Sequence, residues 1–241
     1  MEDASRLIRP VAHIETDFPE KFGVPRQSGL VEALTGRIIL EPAFRCEEAL
    51  RELDGFSHLW LIWSFSLAAE GEAFRPTVRP PRLGGNTRVG VFASRSPFRP
   101  NRLGLSCVKL LGIEHDTPES PTLLVAGADL VSGTPIYDIK PYVPLSDCVP
   151  DAAQGYTVKT RTHCLRVVFE GDLESRVPPE KREALRGVLA GDPRPGYAED
   201  PDKIYGLSFA GWNVGFCVRE QTVFVRHIEP MKQKDGNNHD D

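Results

Sequence analysis

Segments rich in β-branched and aromatic residues, separated by glycine, proline or asparagine, recur along the first 150 residues. Such segments are typical of β-strands. They predict strands at 11–16, 37–41, 58–63, 89–92, 105–113 and 123–129. One short helix is predicted at 46–53, between Pro42 and Gly55. The pattern therefore favours a larger, mainly β domain over about residues 7–150.

Beyond that domain the pattern changes to a mixture of strands and one longer helix. The helix is predicted at 179–190, because prolines stand at its start, Glu180 lies in its first turn and Gly191 follows its end. Strands are predicted around it at 164–170, 204–210, 214–218 and 222–228. We therefore expect a small α+β domain over about 158–232, followed by a disordered polar tail, 233–241.

The composition is that of an ordinary soluble globular protein. Of 241 residues, 40% are hydrophobic and 26% are charged, with a net charge of −5, which excludes a disordered or fibrous chain. The five cysteines lack C-x-x-C spacing and no signal peptide precedes them, so neither a zinc site nor a disulfide framework is expected. The longest apolar stretch, 59–69, is too short to span a bilayer. These features favour the reducing cytoplasm, with no membrane and no metal.

Charge is distributed unevenly along the chain. No aspartate or glutamate occurs from Ala73 to Ile113, and this stretch holds eight cationic side chains: Arg75, Arg79, Arg82, Arg88, Arg95, Arg99, Arg102 and Lys109. The rest of the chain is therefore more acidic than the net charge suggests. A basic segment within an acidic protein predicts a binding site for an anion. The alternative is chance clustering with scattered surface ion pairs.

Common nucleotide and metal motifs are absent from the sequence. There is no G-x-G-x-x-G after a strand, no G-x-x-x-x-G-K-[ST] and no H-E-x-x-H, so Rossmann, P-loop and zincin chemistry have no support. The six histidines share no ligand spacing, and His58 is expected to be a hydrogen-bonded core or lining residue. Cys107 lies in an apolar strand pattern and is expected in the core.

Two loops rich in proline and arginine carry candidate binding residues. In Lys21–Gly29, Pro25 and two glycines shape a rigid loop that presents Arg26 and Gln27 as planar donors for a carboxylate or a base edge. A surface turn with a solvated arginine is the alternative for this loop. In 88–105, two prolines stiffen a second loop, from which four polar side chains project: Arg95, Arg99, Asn101 and Arg102.

Arginine is well suited to bidentate contacts with phosphate or carboxylate. The stretch 75–86 is rich in proline and arginine like the second loop, and it contributes Arg75, Arg79 and Arg82. Binding to a nucleic-acid backbone would suit both stretches.

A third segment, 127–142, combines an acid, a base and a phenol. Asp138, Lys140 and Tyr142 alternate, so they share one face if the segment is extended. This arrangement is either a chemical constellation or a polar network that supports a pocket, and the residues leave both open.

Five motifs together identify a family resemblance. They are G-V-F-A-S-R-S-P-F-R-P-N at 90–101, K-F-G-V-P-R-Q at 21–27, F-S-H-L-W at 56–60, T-V-R-P-P-R-L-G-G-N at 77–86 and G-T-P-I-Y-D-I-K-P-Y at 133–142. In this order they closely resemble the TrmO (TsaA-like) family of S-adenosylmethionine-dependent tRNA methyltransferases. The runs at 192–195, 204–206 and 212–214 look like the smaller C-terminal domain of that family.

The resemblance implies a β-barrel-like N-terminal domain that binds S-adenosylmethionine, and a homodimer. It implies methylation of N6 of N6-threonylcarbamoyladenosine, next to the anticodon of tRNA, with the C-terminal domain helping to engage the tRNA. It places the cofactor on Arg26, Gln27, Ser28, Phe65, Ser66, Arg95, Leu105, Ala128, Asp129, Leu130 and Val131. Several relatives carry His-Gln or Asp-Gln where this chain has Ser66-Leu67, so a backbone contact is the form that could survive there.

Roles for the remaining polar residues follow from their chemistry. We nominate Asp138, Lys140 and Tyr142 for catalysis, because Lys140 could lower the pKa of either neighbour. Substrate and tRNA contacts are expected at Arg99 or Arg102 for the threonyl carboxylate, and otherwise at Arg75, Arg79, Arg82 and Asn101. Trp212 and Phe216 could stack on bases, although core positions are favoured for both.

Two other functions are compatible with the sequence. An RNA-binding module without catalysis would keep the arginines and need no cofactor site. A methyltransferase with a different substrate would keep both the arginines and the cofactor site.

Overall fold

The computed structural model describes residues 7–67, 74–80, 83, 87–160, 164–195 and 200–231. Arg82 and the predicted disordered tail, 233–241, lie outside these ranges.

The first two thirds of the chain form a closed barrel with a small accessory hairpin. In chain order the strands are β1 (Ala12–Thr16), β2 (Thr35–Leu40), β3 (His58–Ser64), β4 (Thr77–Val78), β5 (Val89–Gly90), β6 (Leu103–Glu114), β7 (Thr122–Ala126) and β8 (Thr134–Pro141). The barrel has the order β1-β2-β7-β6-β3-β8 with antiparallel neighbours throughout, while β4 pairs with β5. Closure leaves the barrel without an unpaired edge strand. The predicted mainly β fold with an N-terminal barrel is thus confirmed.

Alternation along β3 shows how side chains fill the barrel core. In β3, Leu59, Leu61 and Trp63 are buried inside the barrel, whereas the residues between them lie on the outer face. Side chains alternate between faces in a strand, so one apolar set fills the barrel and the other remains available for contacts outside it. The ladder between β3 and β8 shifts register between Ile62 and Trp63. Such irregularities re-aim side chains, and this one lies at the end of β3 that reaches the cavity described below.

The last third of the chain forms a four-stranded sheet with one helix. Its elements are β9 (Arg166–Phe169), α2 (Pro179–Ala190), β10 (Tyr205–Phe209), β11 (Trp212–Arg219) and β12 (Thr222–Pro230), after a short α1 (Pro144–Asp147). The sheet order is β10-β11-β12-β9, and only the β12–β9 pair is parallel. The helix predicted at 179–190 is confirmed at both ends, with proline in its first turn and Gly191 at its end. The core position favoured for Phe216 is confirmed, because its side chain is fully buried, and it does not stack on bases.

Three local expectations are also wrong. The predicted helix at 46–53 is instead two 3-10 turns, Glu47–Leu50 and Leu53–Gly55, because Glu52 takes a left-handed φ of 66° between them. The strand predicted at 89–92 ends at Gly90, where a 3-10 turn begins. The strand predicted at 123–129 ends at Ala126, because Gly127 has a φ of +75°.

Residues 17–34, here called the β1–β2 segment, pack against the C-terminal sheet rather than into the barrel. Phe18 is buried with its ring centroid 5.4 Å from that of Phe209. The ring of Phe22 stacks on Phe216 at 6.4 Å. At the start of the segment, the Asp17 carboxylate accepts a hydrogen bond of 2.7 Å from Lys181 of α2. The segment therefore joins the hydrophobic core of the C-terminal sheet, and its backbone is fixed from that side.

Within the described ranges, no helix is long and apolar enough to cross a membrane. In the same ranges, no group of three or more histidine, cysteine, aspartate or glutamate side chains could hold a metal ion.

The contact between α2 and the β1–β2 segment gives a stability test. A Cβ atom added at Gly187 would lie 2.6 Å from Cγ1 of Val31. Alanine normally stabilises a helix by about 1 kcal/mol over glycine, but overpacking costs about 1–3 kcal/mol. We expect Gly187→Ala to lower the thermal unfolding midpoint by several degrees, at about 2–4 °C per kcal/mol.

The same substitution in a Val31→Ala background should raise the midpoint relative to Val31→Ala, because the clashing methyl group is absent. A rise in midpoint for Gly187→Ala in the otherwise unchanged chain would contradict the packing described here.

Candidate functional site

A cavity of about 480 Å³ lies where the β1–β2 segment meets the end of β3, the start of β6 and the loop after β7. Its wall combines cations, apolar side chains and one carboxylate, and includes Arg26, Gln27, Phe65, Arg95, Leu105, Asp129 and Leu130. We call it the first cavity. Concave, mostly apolar sites with a few polar groups are typical of small-molecule binding.

Two glycines bring two of the loops around the first cavity into contact. The backbone N–H of Gly29 donates a hydrogen bond of 2.9 Å to the carbonyl of Gly127. Gly127 has a φ of +75°, and a Cβ atom there would lie 3.2 Å from the Cα of Gly29. A side chain at Gly127 would therefore strain the backbone and crowd the neighbouring loop. The β1–β2 segment and the loop after β7 are held side by side in this way.

The arginines of the first cavity are held by short contacts. Arg95 donates a hydrogen bond of 2.6 Å to the side-chain oxygen of Gln27. Arg26 donates one of 3.3 Å to the carbonyl of Arg194, which lies beyond α2. Arg99 donates to the carbonyls of Ser94 and Ser96, and so stabilises the loop that carries Arg95. Two guanidinium groups, Arg26 and Arg95, thus lie in the cavity wall with defined partners.

A chain of hydrogen bonds leads from the barrel interior to the only acidic residue among the described residues that line the first cavity. The indole N–H of Trp63 donates to Ser106 Oγ at 2.9 Å, and Ser106 donates to Asp129 Oδ1 at 2.5 Å. Ser106 is completely buried. Gly104 makes room for the indole, because a Cβ atom there would lie 2.3 Å from the Trp63 ring. The polar side chains of this three-residue network, Trp63, Ser106 and Asp129, are thus hydrogen-bonded to one another, as buried polar groups require.

Burial raises the pKa of Asp129 above its usual range. The Ser106 hydrogen bond opposes that rise, and so do the backbone N–H groups of Asp129 and Ser28 and the charge of Arg95. The Asp129 carboxylate is therefore largely desolvated and hydrogen-bonded by donors on several sides. A cation or a hydrogen-bond donor on a ligand would further stabilise its ionised form.

The apolar part of the wall is formed by aromatic and aliphatic side chains. The rings of Phe65 and Trp63 meet edge to face with centroids 4.4 Å apart. Leu105 lies on the outer face of β6 and is 47% exposed, although it adjoins the cavity. An exposed leucine, a buried indole and a partly buried phenyl ring in one wall offer apolar surface to a planar ligand.

A second cavity, of about 850 Å³, adjoins the first. The two share Arg26, Gln27, Arg95 and Pro97 in their walls. The wall of the second cavity also includes residues of the accessory hairpin and of the C-terminal third, among them Arg75, Arg79, Arg88, Phe98, Tyr156 and Arg194.

Comparison with known proteins agrees with this architecture. Residues 13–148 match the model of the tRNA-methyltransferase O N-terminal domain, and residues 162–231 match that of the TrmO C-terminal domain. The chain belongs to the TrmO family.

Individual relatives extend over both parts of the chain. The tRNA (adenine(37)-N6)-methyltransferase of Escherichia coli K12 is 40% identical, with 90% of this chain and 95% of that protein covered. A crystal structure of TrmO from P. aeruginosa has a TM-score of 0.78 at 30% identity, covering 95% and 99% of the two chains. A Pyrococcus abyssi protein named "Probable S-adenosyl-L-methionine-binding protein" is 33% identical over 63% of this chain and 76% of its own length.

The structure brings together most residues that the TrmO resemblance assigns to the cofactor. Nine of the eleven line the first cavity: Arg26, Gln27, Phe65, Ser66, Arg95, Leu105, Asp129, Leu130 and Val131. Ser28 and Ala128 do not line it. Ser28 instead accepts a hydrogen bond of 3.1 Å from the backbone N–H of Cys107, and Ala128 is buried in the barrel core. Both residues therefore support the wall from behind.

Asp138, Lys140 and Tyr142 line neither of the two described cavities. Asp138 and Lys140 do share a face of β8, where their side chains form an exposed ion pair of 3.0 Å. The expectation that Lys140 lowers the pKa of Tyr142 is wrong. Desolvation is the largest cause that raises the pKa of Tyr142, and the electrostatic influence of Cys148 is the next largest. The catalytic role of these three residues stays a prediction.

The basic residues assigned to substrate and tRNA divide between the two cavities. Arg75 and Arg79 line the second cavity, and Arg99 lines the first. Asn101 and Arg102 line neither, and Arg102 has a φ of 48° in the turn before β6. The core position expected for Cys107 is wrong, because it lies on the outer face of β6 and is only partly buried.

Several residues of the cavity walls and of the hydrogen-bond network behind them were missed by sequence reasoning. Trp63 and Ser106 sit within apolar strand patterns, which gave no reason to single them out. Arg194 follows α2 and Tyr156 lies in the 3-10 turn Gly155–Thr160 that precedes β9, and both approach the barrel loops only in the folded chain. The run at 192–195 was part of the family resemblance and could have indicated Arg194 as a site residue.

The position of Asp129 predicts a pH-dependent gain of stability on its replacement. A raised pKa means that folding loses stability as the pH rises from the ordinary aspartate value of 3.8 through the raised value. Asp129→Asn removes this loss, so we expect a higher unfolding midpoint near pH 7.5 and no gain below pH 3.8.

Thermal unfolding across this pH range measures the effect, with the exposed Asp151→Asn as the matched control. An equal gain in the control, or a gain that does not vary with pH, would show that burial of Asp129 is not its cause.

Proposed function

We propose that this chain is an S-adenosylmethionine-dependent tRNA methyltransferase that methylates N6 of adenine 37 when that adenine carries an N6-threonylcarbamoyl group. The relatives' names support the activity, and family membership over both parts of the chain supports its transfer to this protein. The observation that carries the proposal is the pair of adjoining cavities, one with mixed chemistry and one lined with arginines.

The first cavity fits S-adenosylmethionine. Its volume of about 480 Å³ lies within the range of about 300–1,000 Å³ for small-molecule sites. Arg26 and Arg95 would hold the carboxylate of the cofactor, since guanidinium groups bind carboxylates in a bidentate manner. Phe65 and Leu105 would flank its adenine. Asp129 would accept hydrogen bonds from one of its cationic or hydroxyl groups.

When bound, S-adenosylmethionine would supply an electrophilic methyl group with S-adenosylhomocysteine as the leaving group, and the N6 proton would have to pass to a base. The protein has to hold N6 in line with that carbon, which contributes a large part of the rate. A proton acceptor typically adds about 10²–10⁴-fold. Asp138 and Tyr142 remain the acceptors predicted from sequence.

The proposal extends to a homodimer in the cytoplasm and to two domains, 7–150 and 158–232, of which the smaller engages the tRNA. The family resemblance supports these points. Arg75, Arg79, Arg99, Asn101 and Arg102 would contact tRNA or its modified base, as predicted from their charge and position.

A methyl-transfer assay tests the proposed function. The protein is incubated with S-adenosylmethionine and tRNA that carries threonylcarbamoyladenosine, and the digested nucleosides are identified by mass spectrometry. We expect methylated threonylcarbamoyladenosine from this tRNA and no methylated product from tRNA without the modification. Methylation of another nucleoside would favour a methyltransferase with a different substrate. Absence of both methylation and cofactor binding would favour an RNA-binding module.

The cofactor assignment has its own prediction. Arg95→Met removes a guanidinium group from the first cavity, and a hydrogen bond to a charged group contributes about 1.5–3 kcal/mol. We expect calorimetric affinity for S-adenosylmethionine to fall about ten- to hundredfold. The exposed Arg51→Met is the matched control and should bind the cofactor like the unaltered protein. Unchanged affinity in Arg95→Met would remove Arg95 from the cofactor site.

A further inference from the structure

The second cavity has a uniform charge. Among the described residues of its wall there is no aspartate or glutamate. Six arginines line it: Arg26, Arg75, Arg79, Arg88, Arg95 and Arg194. A concave surface lined by one sign of charge focuses the electrostatic potential and concentrates ligands of the opposite sign. The ligand of this cavity is therefore anionic.

The cavity also offers aromatic surface. Phe98 lies in its wall with the guanidinium of Arg75 over its ring, 4.6 Å from the centroid. Tyr156, from the 3-10 turn Gly155–Thr160, lies in the wall on the C-terminal side and is only partly buried. Aromatic rings and arginine planes stack on unpaired nucleobases. Phosphate binding needs the charge but gives no reason for the aromatic rings.

The position of the cavity connects it to the first one. A methyl acceptor has to reach the donor at near-attack distance, so the site for the acceptor must open onto the site for the cofactor. The second cavity adjoins the first, because Gln27 and Arg95, joined by a hydrogen bond of 2.6 Å, belong to both walls, and an acceptor bound there lies next to the cofactor site.

Arg194 ties the cavity to the C-terminal third. Its guanidinium makes hydrogen bonds of 2.8 and 2.9 Å to the carboxylate of Asp192, which raises the pKa of Arg194. Its carbonyl accepts from Arg26. The chain beyond the barrel therefore contributes part of the wall directly, through Tyr156 and Arg194.

We infer that the second cavity is the acceptor site, in which Tyr156 stacks on the target adenine and Arg88 binds the carboxylate of its N6 substituent. This inference rests on the proposed function and adds to it the residues that select the modified adenine. Arginine binds a carboxylate through charge-assisted, bidentate hydrogen bonds. Unmodified adenine lacks this carboxylate, so the cavity discriminates between the two tRNAs.

Arg88 is a suitable residue to test, because it is exposed and donates only a long hydrogen bond, 3.4 Å, to Thr77. Its loss should leave the fold intact. Arg194 is less suitable, because its replacement would also remove the guanidinium contacts with Asp192.

The test compares two tRNAs of the same sequence, with and without threonylcarbamoyladenosine at position 37. Their dissociation constants are measured in the presence of S-adenosylhomocysteine, which prevents turnover. The unaltered protein should bind the modified tRNA more tightly. Arg88→Gln should weaken binding of the modified tRNA about ten- to hundredfold, from about 1.5–3 kcal/mol for a charged hydrogen bond. Binding of the unmodified tRNA should change little, so the ratio of the two constants approaches one.

Arg51→Gln is the matched control, since Arg51 is exposed on the barrel domain and lies outside both cavities. It should leave the ratio unchanged. Tyr156→Ala should raise KM for modified tRNA without weakening S-adenosylhomocysteine binding, and Tyr156→Phe should restore it.

An unchanged ratio in Arg88→Gln, with the unaltered protein active on modified tRNA, would overturn the inference and leave the proposed function standing. Equal weakening of both tRNAs would overturn it too, because the cavity would then bind phosphates. If the unaltered protein does not methylate the modified tRNA, the proposed function fails and this inference fails with it.

Discussion

The packing of the β1–β2 segment on the C-terminal sheet is the constraint on which the rest of the site depends. One side of the segment places Phe18 and Phe22 in the C-terminal core, and the other side carries Arg26 and Gln27 into the two cavities. Full burial of one such aromatic side chain contributes about 1.5–3 kcal/mol, so the loop is fixed by its neighbours rather than by its own hydrogen bonds. Loops positioned by a rigid scaffold are where binding residues are usually found.

Polar groups in the barrel wall follow a different rule from those in the loops. Trp63, Ser106 and Asp129 form a satisfied network inside an otherwise apolar barrel, and such networks specify a single arrangement of their members. The arginines of the second cavity are mostly exposed, and Arg194 is paired with Asp192. The network behind the first cavity is thus satisfied within the protein, whereas the second cavity offers cationic donors to a ligand.

Much of the fold follows from local patterns, and the site follows only in part. The helix at 179–190 carries its own start and stop residues, and the strands carry their alternation, so both could be predicted. The helix expected at 46–53 buries only Leu50, and its sequence gives no sign that Glu52 turns left-handed. Arg26 and Gln27 could be found from loop chemistry and family motifs. Tyr156 could not, because its place in the wall of the second cavity depends on tertiary packing.

The contact between Asp17 and Lys181 joins residues 164 positions apart, and it has a consequence for how this protein can evolve. The β1–β2 segment belongs to the N-terminal part by sequence and to the C-terminal part by packing. A recombination event that exchanged only the C-terminal part between distant relatives would replace one side of this packed surface and keep the other. Inheritance of a working site therefore requires two separate stretches of the gene to change together, and chimeric enzymes should be cut on both sides of residues 17–34.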